Sequence, residues 1–130
     1  MGLKADEMIN INEPPRLHIR IVFGPKAMIG PGKAALLDQI AQKGSISAAG
    51  RAMGMSYKRA WMLIEDLNAM FRDPLVESSR GGPGGGGALL TPNGKAVLNL
   101  YRQVQNDAAF SSVASLMALS SLLKDQAIEE

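Results

Sequence analysis

Residues 45–67 read SISAAGRAMGMSYKRAWMLIEDL, and few folds suit such a segment. Ala48, Ala49 and Gly50 are small, and Gly54-Met55 interrupts the run before a second periodic stretch. The pattern predicts two short helices joined by a tight turn, the first from about Ser47 to Met53 and the second from Ser56. Ser45 and Ser47 offer hydroxyls to the free N–H groups of the first helix. In the second helix Ala60, Leu63, Ile64, Leu67 and Phe71 repeat at three and four, which makes a buried stripe. Tyr57, Lys58 and Trp61 are read as falling off that stripe. For Trp61 two roles stay open, stacking on the element that follows or facing outward with its neighbours. The layout is that of a helix-turn-helix, a motif whose second helix enters the DNA major groove with its N-terminal residues on base edges.

Composition narrows the remaining chemistry. The chain has 130 residues, enough for one domain with a core plus extensions. It contains no cysteine and one histidine, His18. A disulfide framework, a cysteine-ligated metal, a multi-histidine metal site and a Ser-His-Asp triad in its usual form therefore fall away. Net charge is only +2, so bulk charge says little about nucleic acid. Its distribution says more. Arg51, Lys58 and Arg59 cluster in the two-helix segment and Arg80 opens the glycine-rich stretch, whereas acids gather at the ends and at Glu65 and Asp66. No apolar stretch reaches the length of a membrane span, and residues 1–12 lack the pattern of a signal peptide. A cytoplasmic location without membrane contact is expected.

The flanking segments extend the motif. Leu17, Ile19 and Ile21 alternate with Arg16, His18 and Arg20, as in a half-buried strand. Gly24-Pro25 marks a turn, and Ala27 to Ile29 follows as a short return strand. Gly30-Pro31-Gly32 reads as a breaker ahead of a helix over Lys33 to Lys43, which Gly44 ends in the left-handed conformation. Asp73-Pro74 ends the helix that began at Ser56. Leu75 to Glu77 and Ala88 to Leu90 then form a hairpin around the tip SSRGGPGGGG. Thr91 caps a further helix with Pro92 at its first position. Val97, Tyr101, Val104 and Ala108 form an apolar stripe there, which a second copy of the chain would cover, the alternative being a tail that folds back on its own domain. Apolar residues continue through Leu123, either as one long helix or as two with a break near Ser111-Ser112.

The glycines invite a nucleotide-binding alternative, which the spacing rejects. A P-loop needs a glycine, four residues, then Gly-Lys and a hydroxyl residue. Gly94-Lys95 is followed by Ala96 and Gly32-Lys33 by Ala34, and the earlier glycine positions hold Leu89 and Ala27. No carboxylate pair suited to acid/base work emerges either. The expected protein is not an enzyme, and no catalytic residue is named.

The order strand, strand, helix, helix, recognition helix, hairpin, long helix resembles the DNA-binding domain of ModE-type molybdate-responsive regulators, close to LysR-type domains. The likeness is carried by residues 44–68 (GSISAAGRAMGMSYKRAWMLIEDLN), 75–101 (LVESSRGGPGGGGALLTPNGKAVLNLY) and the strand and helix at 17–43. The resemblance implies a mainly α fold with a small β component, a winged helix-turn-helix with a long C-terminal dimerisation helix. The expected division is a flexible segment 1–15, a DNA-binding domain 16–92 and a helical dimerisation region 93–130. The resemblance further implies a homodimeric transcriptional regulator on double-stranded DNA with a pseudo-palindromic operator. Ser56, Tyr57, Lys58, Arg59 and Trp61 would lie at the DNA, and Ser47 near phosphate. Wing residues Ser79, Arg80, Gly81 and Gly82 would meet backbone or minor groove. Two departures qualify the likeness. Pro83 stands where family wings often carry a basic residue, and the β-rich molybdate-binding domains of full-length regulators have no counterpart here, so molybdate is not expected as a cofactor. The alternative is a winged-helix protein-interaction module without specific DNA binding.

Overall fold

The computed structural model describes residues 15–79 and 86–124. Strands β1 (Ile21–Gly24) and β2 (Ala27–Ile29) pair antiparallel around the Gly24-Pro25 turn, with Ile21 opposite Ile29 and Val22 opposite Met28. The alternation over residues 16–20 survives in burial, with Leu17 and Ile19 half-buried and Arg16, His18 and Arg20 exposed. It does not form the expected strand. Ile21 already faces Ile29, and the chain turns into a helix straight after Gly30, so β2 supplies no partner for residues 17–20.

Helix α1 (Pro31–Lys43) starts two residues before the expected Lys33. Pro31 opens the helix instead of breaking it, because the first helical position needs no intrahelical N–H. Leu36, Leu37 and Ile40 are fully buried. Gly44 ends α1 at φ 75°, and its carbonyl accepts the Ala88 N–H at 2.9 Å. Helix α2 (Ile46–Ala52) is capped by Ser45, whose Oγ accepts the Ala48 N–H at 2.9 Å. Gly54, at φ 70°, carries the turn into α3 (Tyr57–Met70), where Ser56 Oγ accepts the Arg59 N–H at 3.1 Å. The crossing of α2 and α3 is close: a Cβ on Gly50 would stand 3.2 Å from that of Ala60. On α3, Ala60, Ile64 and Leu67 are buried, and Leu63 and Phe71 pack at the edge of the core.

Strands β3 (Val76–Ser78) and β4 (Ala88–Leu90) form the second antiparallel pair, with Val76 opposite Leu90. Asn68 on α3 fixes the start of β3. Its Oδ1 accepts the Leu75 and Val76 N–H groups at 2.8 and 3.1 Å, and its Nδ2 donates to the Val76 carbonyl at 3.1 Å. Thr91 then caps α4 (Pro92–Ser111): its Oγ1 accepts the Gly94 N–H at 2.9 Å and donates to the Pro74 carbonyl at 2.7 Å.

Two compact units divide the chain, His18–Val104 and the terminal remainder. In the first, α4 contributes buried Leu98 and Tyr101 to the core. The Tyr101 hydroxyl donates to the Ile19 carbonyl, and burial raises its pKa above the ordinary phenol value. Tyr101→Phe leaves that carbonyl without its donor and should cost about 1–2 kcal/mol in denaturant unfolding. In the second unit the helical run is broken, as one of the two sequence readings had it. Ser112 separates α4 from α5 (Val113–Ser121), and its hydroxyl donates back to the Ala108 carbonyl, a bond that bends helices.

Candidate nucleic-acid interface

The candidate surface is the exposed side of α3. Ser56 closes its N-terminus, and Lys58 and Arg59 occupy the first turn with no acidic residue beside them. Both cations are exposed, and so is Tyr57, at 57% of its surface. Helix N-termini carry partial positive charge, so acids are favoured there and cations disfavoured. Here the order is inverted, with Glu65 and Asp66 exposed two turns later. The result is a concentrated positive end on a helix that presents its side chains outward.

The reason for Tyr57 exposure differs from the sequence reading. Tyr57 stands three residues before Ala60 and seven before Ile64, so the period of the buried stripe passes through it. It is exposed because it is the first residue of α3, where the stripe runs past its cover. Trp61 is half-buried and packs against the core. It lines a cleft of about 350 Å³ with Ile46, Ile64, Glu65, Val76 and Ser78, between the start of α2 and strand β3. Its partial burial is against the core, and the cleft it lines also borders the hairpin.

Ser47 lies on α2, where its Oγ accepts a 2.9 Å hydrogen bond from Arg51 Nη1. The bond steadies an exposed guanidinium on the outer side of that helix. Ser79 closes the described base of the wing. Its N–H donates to the Gly87 carbonyl at 2.8 Å, and its Oγ accepts the Gly87 N–H at 3.2 Å. Arg80, Gly81 and Gly82, also expected at DNA, lie outside the described residues, as does Pro83.

The stripe expected for dimerisation splits. Val97 is half-buried against the domain core, and Tyr101 is buried within it and presents no free face. Their phase is shared with the core because α4 closes its own domain at that point. Val104 is 43% exposed and Ala108 is half-buried. Among the described residues no group of three or more His, Asp or Glu side chains is placed to hold a metal ion, and no helix is long and apolar enough to cross a membrane.

The sequence reading missed Asn68, the second hydrogen bond of Thr91 and the exposure of Met62. Asn68 sits four residues after Ile64, beside the buried stripe, and a polar residue at that phase is a signal for a buried amide network. The Thr91 hydroxyl reaches Pro74 across 17 residues, which no local pattern indicates. Met62, 54% exposed, lies four residues after Lys58 on the same side of α3.

Residues 33–95 match the family described as bacterial regulatory helix-turn-helix protein, lysR family. That segment is thus a lysR-type helix-turn-helix, here with a β3–β4 hairpin as its wing. Within that class it is ModE-like. The chain is 48% identical over 71 residues to the transcriptional regulator ModE of Yersinia pestis, covering 55% of this chain and 27% of the relative. It is 42% identical over 86 residues to the DNA-binding transcriptional dual regulator ModE of Escherichia coli (strain K12), covering 64% and 33%. The molybdenum-pterin-binding protein MopB of Rhodobacter capsulatus is 41% identical over 83 residues, covering 64% and 31%. The chain spans a third or less of the length of these curated relatives.

Proposed function

We propose that this chain is a DNA-binding transcriptional regulator that reads a pseudo-palindromic operator as a homodimer. The observation that carries the reading is the pair Lys58 and Arg59, exposed on the first turn of a capped α3. The helix enters the major groove by that end. Its cations meet phosphates or guanine edges, Tyr57 meets a base or the backbone, and the Ser47–Arg51 pair on α2 faces the phosphates flanking the groove. The wing from Ser79 onward runs along backbone or minor groove. Trp61, half-buried against the core, serves by packing rather than by touching bases.

The homodimer is supported by the terminal unit. Phe110, Val113, Met117 and Leu119 are 84%, 52%, 60% and 62% exposed, and no charged residue interrupts residues 110–123. A surface so apolar is poorly suited to water and well suited to a second copy of itself. The dimer surface is therefore assigned to the exposed residues from Val104 onward, with Tyr101 left to its own core.

Selection of binding sites from random duplexes by the purified protein tests this reading. The expected outcome is an enriched motif of two inverted half-sites, centred roughly 10 base pairs apart, with a dimer in sedimentation. Equal affinity for every duplex would refute the regulator. A single asymmetric site bound by a monomer would refute the homodimer alone.

A further inference from the structure

The outer face of α3 holds one large apolar side chain among its charges. Met62 is 54% exposed and follows Lys58 by one turn. With Leu63 it supplies the apolar lining of a cleft of about 260 Å³ that Ser56, Lys58, Arg59 and Asp66 also line. Single exposed apolar residues are common on protein surfaces. This one lies between the two cations that the proposed function assigns to DNA and the acid that bounds them. Asp66, one turn further on, repels phosphate, so the groove-facing part of the helix ends at Met62.

We infer that Met62 is a specificity-determining residue that reads the C5-methyl of thymine, an inference that rests on the proposed major-groove docking of α3. Of the groups that base pairs present in the major groove, the thymine methyl is the large apolar one, and the others are hydrogen-bond donors and acceptors apart from the small C5–H of cytosine. Met62 has no donor and only a weak thioether acceptor, so a methyl is the feature it can recognise. Its unbranched, polarisable side chain adapts to a contact set by the rigid helix behind it. Lys58 and Arg59 supply the attraction to DNA, while Met62 supplies preference for an A·T pair in each half-site.

Replacing thymine by deoxyuridine in the selected operator removes the methyl and leaves the base-pairing and the backbone charge unchanged. At one thymine position per half-site this should weaken binding of the wild-type protein about fourfold, the value of one buried methyl-sized group. Met62→Ala should weaken binding to the thymine operator by a similar factor and be indifferent to the uridine change at that position. A Met62→Ala protein that still loses affinity on uridine substitution would overturn the inference, as would a wild-type protein indifferent at every thymine. In both cases the operator itself remains and the regulator stands. Failure to select any operator would overturn this inference together with the proposed function.

Discussion

Gly94→Ala should destabilise the domain by about 2–4 kcal/mol, measured by denaturant unfolding, with loss of the junction between the wing and α4. A Cβ built on Gly94 would lie 2.1 Å from the Leu75 carbonyl oxygen and 3.0 Å from its carbon. These are backbone atoms, so no rotamer change can relieve the overlap. The same carbonyl accepts the Thr91 N–H at 2.9 Å, and Leu75 is fully buried at the entrance to β3. Displacing it breaks that bond and disturbs the Asn68 network on the next residue. The gain in helix propensity from glycine to alanine, about 1 kcal/mol, offsets only part of this cost. Gly32→Ala is the control. Gly32 lies in α1 with nothing within 4 Å of its added Cβ, so that change should leave stability equal or slightly higher. Equal stability of Gly94→Ala and wild type would show that α4 and β3 do not approach as closely as this geometry requires.

The Gly94 case also marks where sequence reading stops. Features decided within about four residues were legible. Gly44 at the end of α1, Ser56 ahead of α3 and Thr91-Pro92 ahead of α4 all stand where capping chemistry puts them. The hairpin followed from the glycine run and the apolar residues around it, with its first strand at 76–78, one residue later than the expected 75–77. Features set by distant partners were not legible. A strand over residues 17–20 needs an opposite strand, and the helix start at Pro31 removes it. Helical phase placed Tyr101 on an apolar stripe but could not say whether that stripe meets its own domain or another copy. For the candidate site, periodicity kept Lys58 off the buried stripe and charge clustering added Arg59, and both are exposed. Periodicity placed Trp61 off the stripe with two roles open, because the core that half-buries Trp61 is assembled from elements distant in sequence.

Removing both cations, Lys58→Ala with Arg59→Ala, should lower operator affinity by about 100-fold or more at physiological salt, since the proposed dimer would lose four charges at once. The salt dependence identifies the mechanism. Every phosphate that the variant no longer neutralises should make the slope of log affinity against log salt shallower by about 0.9. Weaker binding with the slope unchanged would assign these side chains to base edges alone. Folding should be nearly unaffected, within about 0.5 kcal/mol, because both side chains are exposed and the Ser56 cap bonds to the Arg59 backbone N–H rather than to its guanidinium. The direction is informative too. Cations at a helix N-terminus oppose the macrodipole, so their removal should stabilise α3 slightly if anything. A residue pair that weakens its own helix and strengthens attraction to an anion is explained by the anion. Thermal unfolding and a salt titration of binding on the same double variant separate the two effects. If the variant unfolded markedly earlier and kept its operator affinity, Lys58 and Arg59 would be structural residues and α3 would have no claim to the DNA.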